Sequence, residues 1–374
     1  MIQLKNVSLT ELIRSLNEEK IVCIGAGVIL KKILELYTSF NLEDYIIYIV
    51  DNNKKEDEFV TYKCGKIKIH SMEYLLKHIN RNTILLITTY DYIGVLSQLD
   101  SIKKLQGVET YIYRLMLKEE EREIFFKPVF FGKEQIPKKI HCFWFGKGEY
   151  SKINLKCIES WKQYCSDYEI IRWDESNYNI EKFRYAKEAY EAKKWSFVAD
   201  VARLDIINQY GGIALDTDVE VVRSLDPLLY HRAFCGKQKD QYINTGLGFG
   251  AIKGYWIVEN WLETYKNRSF IDSKGIMNLT ACPIYQTLDL INMGYKHGDS
   301  KLDEMVIYPS TYFDPKDYYS EIIEKKCGAY TIHHYEASWL NEEEKKKQLK
   351  LKKNIKMFEK SILNRIYKNK ENFE

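Results

Sequence analysis

Short apolar runs alternate with amphipathic stretches twice along this chain, and that alternation limits the fold more than any other feature. In the first 115 residues, KIVCIGAG (20–27) reads as a buried strand, VILKKILELYTSF as a helix, YIIYIVDNN (45–53) as a second strand and TILLITTY (83–90) as a later one. Strands separated by helices predict a small parallel α/β sheet. Between about 116 and 135 lies MLKEEEREIFFKPVFFGKEQ, charged and then aromatic, broken by Pro128 and Gly132, which marks a domain boundary. The pattern then restarts. IPKKIHCFWFG (136–146) reads as a strand, 153–165 as a helix, YEIIRW (168–173) as a strand, 181–193 as a helix and WSFVADVARLDIINQY (195–210) as another. No internal repeat recurs at a fixed period, so the chain reads as two different α/β domains.

Composition narrows the function classes. With 374 residues, 45% hydrophobic and 29% charged, the chain can bury two cores and is not disordered. A formal net charge of +3 argues against a nucleic-acid binder. The eight cysteines stand singly, without a CxxC pair, as expected of reduced thiols in the cytoplasm. The amino terminus lacks an apolar signal core and no window holds 18 consecutive apolar residues, so a cytoplasmic protein without a membrane span is expected. In the first domain, Gly25 and Gly27 lie in a strand-to-helix turn, and Asp51 ends the next strand, where a dinucleotide fold places its ribose-binding acid. Leu30 occupies the place of the third glycine in that fingerprint. This domain resembles the broad Rossmann-like class, and either a cofactor site or a tight turn without ligand fits its residues.

The second domain holds the chemistry. In the helix over 195–210, Asp200 and Arg203 sit three residues apart on one face, either as a structural ion pair or as part of a site. Gly211 and Gly212 end that helix, IAL forms a strand, and Asp216 and Asp218 emerge at its carboxyl end, where open α/β sheets bind ligands. Alternation along an extended segment puts both carboxylates on one side. Held together they repel, unless a divalent cation neutralises them and completes its shell from phosphate and water.

The series IPKKIHCFWFG, SFVADVARLDIINQYGGIALDTDVEVV and HHYEASW, in that order from about 136 to 340, resembles glycosyltransferase family 32, the DxD-motif sugar transferases that include yeast mannosyltransferases and bacterial capsule enzymes. It is also similar to the catalytic domain of large clostridial glucosylating toxins. The resemblance implies a GT-A type nucleotide-sugar transferase domain, a UDP-sugar donor, Mn²⁺ or Mg²⁺, and transfer with retention to a glycan or lipid-linked acceptor. Residue by residue, it makes Asp218 the direct metal ligand and Asp216 the carboxylate near the donor ribose and the metal. Asp200 and Arg203 match a pair on the donor sugar and diphosphate, Trp144 the aromatic on the base, and Asn244 a residue near the donor sugar or reaction centre. In TIHHYEASW it implies a histidine or acid on the metal, with Ser338 and Trp339 on the diphosphate. His334 is the expected ligand, with the register against His333 left open. Asn244 could equally cap a turn, and Trp144 could equally be core.

The expected architecture is thus an α/β chain with a Rossmann-like accessory domain (1–125), a GT-A glycosyltransferase domain (133–340) and a basic amphipathic helix (341–374). In that tail, eleven lysines and arginines over 345–370 face a single acid, and Leu351, Ile355, Phe358, Ile362 and Ile366 recur at helical spacing. Peripheral contact with an anionic membrane and packing of the stripe on the catalytic domain are the two readings. A nucleotide-binding or redox protein built on the amino-terminal glycine turn is the alternative function.

Overall fold

The computed structural model describes all residues except 55–57, 64, 124–131, 324–327, 337–341 and 372–374. The chain divides into two compact units, Met1–Ile124 with Lys346–Glu374, and Phe125–Lys345.

The first unit is a mixed α/β layer. Its strands are β1 (Gln3–Leu4), β2 (Lys20–Ile24), β3 (Ile46–Val50), β4 (Phe59–Tyr62), β5 (Gly65–His70), β6 (Thr83–Ile87) and β7 (Glu109–Ile112), in the order β1-β7-β6-β2-β3-β5-β4. Every neighbouring pair is parallel except β4 and β5. The chain fills one side of β2 and then returns to fill the other, the doubly wound arrangement. Strands covered by helices on both faces need continuous apolar sequence, and Ile21 to Ile24 and Thr83 to Ile87 are accordingly buried.

The helix Glu342–Glu371 belongs to this unit from Lys346 onward. Its Ile355, Ile362 and Ile366 are buried, Arg365 binds both carboxylate oxygens of Asp100 and the carbonyl of Ile2, and Lys118 pairs with the buried Glu359. The expected apolar stripe is therefore largely consumed by packing, and its partner is the first unit rather than the catalytic domain. Phe358 of that stripe is exposed, and Leu351 is half-buried. The opposite face carries exposed Lys346, Lys350, Lys353, Lys356 and Lys360 with exposed Leu349 and Met357.

The second unit has strands β8 (Lys139–Phe143), β9 (Glu169–Trp173), β10 (Gly212–Ala214), β11 (Val219–Val221), β12 (Ala233–Lys237), β13 (Ile243–Ala251), β14 (Lys301–Leu302), β15 (Met305–Tyr308) and β16 (Thr331–His333). Seven of them form a mixed sheet in the order β14-β15-β12-β13-β10-β8-β9, and β11 pairs with β16 apart from it. The helix Trp195–Tyr210 is apolar nearly all round because Val198, Val201, Leu204 and Ile207 are fully buried within the large core. Gly211, at φ +66°, terminates it, and its N–H returns to the carbonyl of Ile207 at 2.8 Å. Gly212 follows at φ +106°, where a Cβ would stand 2.9 Å from His141 Nε2 and 3.0 Å from the Lys139 carbonyl. The two glycines thus let the chain turn from helix to the middle of the sheet against β8.

The stretch expected as a loop and strand around Asn244 is the nine-residue β13. Its ladder with β12 breaks after Cys235, where the partner jumps from Phe249 to Asn244. Gly246, Gly248 and Gly250 alternate along it, and a Cβ at each would collide with Asp216, Phe313 and Phe234 respectively. Small residues here make room for the chain's own side chains.

Candidate active site

The site is assembled at the carboxyl end of β10. Asp216 donates its N–H to the Gly246 carbonyl at 3.0 Å, and Val219 N–H closes back on the Asp216 carbonyl at 3.0 Å. Residues 216 to 219 therefore form a tight turn, not the extended segment that strand alternation predicts. Thr217 between the two aspartates is buried and meets Asn154 Nδ2 at 3.3 Å. The turn sends the carboxylates to two sets of partners.

Asp216 belongs to the arginine side. Arg203 is buried, and its Nη2 donates to Asp216 Oδ1 while Nη1 lies 3.4 Å from Asp200 Oδ1 and donates to Thr245 Oγ1 at 3.0 Å. Its Nε has no partner among the described residues. Burial pushes the Asp200 carboxyl up, and the Arg203 charge only partly counters this, leaving it at about 6. Gln286, on the helix Cys282–Asn292, donates Nε2–H to Thr245 Oγ1 at 2.9 Å and fixes that acceptor. Cys282 closes the back of the pair, with Sγ 4.0 Å from Arg203 Nη1.

Asp218 belongs to the histidine side. Its Oδ2 lies 3.3 Å from His333 Nε2 and accepts from Glu336 N–H at 2.9 Å. Burial alone would raise its carboxyl, but the His333 charge and these hydrogen bonds outweigh burial and hold it at about 2. His333 is drawn the other way. Burial lowers it, while Asp218, Asp314 and Asp216 together bring it up to about 9, so the field of both site carboxylates reaches one imidazole.

The ring beside Asp218 is that of His333. His334, the expected ligand, turns to the other side of β16, where Nε2 meets Glu220 Oε2 at 2.7 Å. Asn244 lies beside Asp216 but is engaged locally, accepting from Gly246 N–H at 2.7 Å and donating to Gln238 Oε1 at 3.0 Å. Trp144 is half-buried at the end of β8, its Nε1–H bonded to the Gly148 carbonyl at 2.6 Å and its ring 4.6 Å from that of Tyr150. Ser338 and Trp339 lie outside the described residues.

Three supporting residues escaped the sequence reading. Trp173 donates Nε1–H to His141 Nδ1 at 3.0 Å, which fixes Nε2 as the protonated nitrogen, bonded to the Gly211 carbonyl at 3.0 Å. A histidine read as part of a strand is thus the clamp on the YGG turn. Asn154 caps the helix Lys152–Tyr164 reciprocally with Ser151 and also donates to Glu336 Oε2 at 3.0 Å, linking that helix to the segment after β16. The capping pattern was readable, but the second bond spans 182 residues and was not.

The donor set suits a hard cation. Asp216 Oδ2 and Asp218 Oδ1 accept no hydrogen bond from the described residues, and Asp216 retains 36% of its side-chain exposure. No group of three or more His, Cys, Asp and Glu ligands exists among the described residues. Two aspartates with free oxygens match an ion that takes most of its shell from phosphate and water.

Residues 151–235 match the family model described as the glycosyltransferase sugar-binding region containing DXD motif. Over those residues the chain is similar to the sugar-binding region of the DXD-motif glycosyltransferases. Its DXD pair is Asp216 and Asp218. The chain is similar to inositol phosphoceramide mannosyltransferase 3 of Schizosaccharomyces pombe, 32% identical over 127 residues, which is 32% of this chain. It spans about a third of the length of that relative, 34%. It is also similar to a solved PaToxG Glycosyltransferase, at 16% identity and a TM-score of 0.35, over 48% of this chain and 74% of that one.

Proposed function

We propose that this protein is a metal-dependent, retaining glycosyltransferase. It moves a sugar from a nucleotide-diphosphate donor, UDP-linked, to a glycan or lipid-linked acceptor in the assembly of a polysaccharide such as a capsule. The observation that carries this reading is the pairing of Arg203 with the DXD turn. A buried guanidinium bridges the two acids Asp200 and Asp216, at the strand end where two carboxylate oxygens accept no hydrogen bond from the described residues.

Asp216 and Asp218 would hold Mn²⁺ or Mg²⁺, which would supply Lewis-acid neutralisation of the diphosphate. Arg203 adds fixed positive charge where the leaving group gains negative charge, in a site that needs no reorganisation. Asp200 and Asn244 orient the donor sugar, Trp144 stacks on the base, and Ser338 and Trp339 hold the diphosphate. Transfer proceeds on the face from which the diphosphate departs, so the departing group takes the acceptor proton. His333 rather than His334 is the imidazole that holds Asp218 ionised.

The mannosyltransferase relative is named for inositol phosphoceramide, a lipid acceptor, which favours the lipid-linked choice. A cytoplasmic enzyme touching the membrane surface through its lysine-rich helix fits such an acceptor. The competing dinucleotide reading finds Asp51 already occupied by its own backbone, with Oδ2 accepting from Ala26 N–H at 2.7 Å and Oδ1 from Asn53 N–H at 2.8 Å.

The test is a panel of UDP- and GDP-linked sugars incubated with the protein, with Mn²⁺ or with chelator. Hydrolysis or transfer that requires the metal, with the product anomer retained by NMR, is the expected outcome. Equal turnover in chelator would remove the metal, and an inverted product would remove the front-face mechanism.

A further inference from the structure

We propose that Asp314 and Tyr335 are positioning residues of the candidate active site, which fix the His333 imidazole against Asp218 and thereby aim the open oxygen of that carboxylate. This rests on the transferase reading and adds to it two residues outside the DXD turn. Asp218 Oδ2 is held by His333 Nε2 at 3.3 Å and by Glu336 N–H at 2.9 Å. Its other oxygen, which accepts no hydrogen bond from the described residues, takes the direction those two contacts leave it. The placement of the His333 ring is therefore part of the geometry offered to a cation.

That ring has no hydrogen bond behind it. His333 Nδ1 is buried without a partner among the described residues, so packing has to locate the imidazole. Tyr335 supplies the packing, with the two ring centres 4.0 Å apart. Its hydroxyl donates to Oδ2 of the fully buried Asp314, and its ring meets that of Tyr318 at 5.0 Å. The Tyr335 backbone takes φ +55°, a left-handed conformation that a large aromatic residue keeps only where its surroundings hold it. On either side of it the chain gives N–H groups to Asp218, His334 to the carbonyl at 3.0 Å and Glu336 to the carboxylate. Releasing Tyr335 would loosen the imidazole and both N–H groups together.

Asp314 is itself fixed. It follows the short helix Ser310–Phe313, and its N–H closes on the Ser310 carbonyl at 2.6 Å. Phe313 is fully buried against β12 and β13, where a Cβ on Gly236 or Gly248 would stand 2.8 or 2.7 Å from its atoms. Asp314 Oδ2 also accepts from Lys239 N–H at 3.2 Å, next to Gln238, which accepts from Asn244. Its Oδ1 is buried without a partner among the described residues, and Asp314 and His333 lie in one another's field. A carboxyl half satisfied in the interior is a poor packing residue. What it does is hold the Tyr335 hydroxyl and, through that ring, the imidazole.

The experiment compares Asp314→Asn, Tyr335→Leu and Tyr335→Phe with the wild-type full chain. Mn²⁺ affinity is read without donor from the EPR signal of the free ion, and the His333 ring nitrogens are followed by long-range ¹H–¹⁵N NMR, assigned through His333→Gln. Asp314→Asn and Tyr335→Leu should weaken Mn²⁺ by about tenfold, as expected when a group that orients a ligand is lost, and should shift the His333 signals. Tyr335→Phe, which keeps the ring on the imidazole, should lose less than Tyr335→Leu. Tyr168→Phe breaks a comparable bond in the same unit, Tyr168 Oη to Asp226 Oδ1 at 2.9 Å, and should bind Mn²⁺ as the wild type does. Unchanged affinity and unchanged His333 signals in Asp314→Asn and Tyr335→Leu overturn the proposal, as does an equal loss in Tyr168→Phe. Should Asp314→Asn fail to fold, the contrast between Tyr335→Leu and Tyr335→Phe, at a half-buried position, decides in the same way. A wild-type protein that binds no Mn²⁺ overturns the metal-dependent transferase reading, while the His333 signals still decide whether these two residues hold the ring.

Discussion

Both α/β units place a glycine turn at one end of a central strand, after β2 in the first and before β10 in the second, and an acid at a strand's carboxyl end, yet the two acids are in opposite states. In the first unit Asp51 has an oxygen on Ala26 N–H and the other on Asn53 N–H, so the turn is closed on itself. Gly25 is also explained internally, since a Cβ there would meet the Thr88 carbonyl at 3.1 Å, and Leu30, at the place of a third glycine, is fully buried. In the second unit Asp216 and Asp218 each keep one oxygen that accepts no hydrogen bond from the described residues. The same sequence grammar thus builds a self-satisfied joint in one place and an unfinished polar site in the other. Ligand chemistry belongs where the protein's own donors run out.

The sharpest way to break this comparison is to neutralise the corresponding acids. Asp218→Asn should lower metal-dependent donor turnover by on the order of 10³, since it removes a ligand and a fixed charge at the leaving group. Asp51→Asn should leave turnover within twofold and lower stability by about 1 kcal/mol, the value of one hydrogen bond. Turnover of both variants with saturating donor, beside their denaturant midpoints, decides it. An Asp51→Asn protein as inactive as Asp218→Asn would show that the first unit also serves the reaction.

A somewhat smaller effect separates charge used for chemistry from charge used for folding. Arg203→Met alone strands Asp200 in a buried position, and Arg203→Met with Asp200→Leu removes both charges and can fold nearly normally. The double variant should therefore melt near the wild type and remain lower in turnover by on the order of 10². Near wild-type transfer by that well-folded protein would return both residues to a structural role.

The legible parts of this molecule are those set by local rules. The helix Trp195–Tyr210 could be read because an apolar run ends at two glycines, and β10 because three small or branched apolar residues follow them. The turn at 216–219 could not. Alternation predicts extended chain there, but Thr217 is buried beside Asn154, and that contact spans 63 residues. Thr245 and Gln286, which fix Arg203 from 41 residues apart, left no local signal either. The order of the two histidines was set by the pairing of β16 with β11, where Val219 faces His333, so the next residue, His334, is turned to Glu220. In the tail, helical periodicity located the buried Ile355, Ile362 and Ile366 of the apolar stripe, but not the exposed Phe358 nor what covers the rest.

The clamp on the YGG turn gives a pH test confined to the second unit. Burial lowers His141 to about 4, and its neutral form is doubly bonded, with Nδ1 accepting from Trp173 and Nε2–H donating to Gly211. Protonation would set Nδ1–H against the Trp173 N–H. The unfolded chain takes up this proton near 6.5, whereas the folded chain does not until about 4, so stability is lost as pH falls through that window. At pH 5 the loss should be about 2 kcal/mol. Urea unfolding at pH 7 and pH 5 should show this difference shrinking in His141→Gln, whose amide does not titrate. Equal pH slopes in both proteins would mean that the clamp stays neutral in neither state.

The smallest predicted effect concerns what the first unit is for, where the acid beside the glycine turn is bonded to its own backbone. The helix Glu342–Glu371 gives its isoleucines to the core of that unit and turns Lys346, Lys350, Lys353, Lys356 and Lys360 outward. Leu349 and Met357 lie on the same outward face, 69% and 62% exposed. A basic face with apolar residues between its lysines suits an anionic bilayer, where each lysine near the surface contributes about 1 kcal/mol. Lys353→Glu/Lys360→Glu should therefore weaken sedimentation with phosphatidylglycerol vesicles by ten- to thirtyfold, with the wild-type loss in high salt reproducing it. Donor hydrolysis in solution should not change, because the substitutions lie in the unit without the DXD turn. If vesicle binding survives the charge reversal, the lysines are a solvated face and the first unit's role lies elsewhere. If donor hydrolysis falls with it, the separation of chemistry and location between the two units is lost, and with it the contrast between Asp51 and the DXD pair as a guide to function.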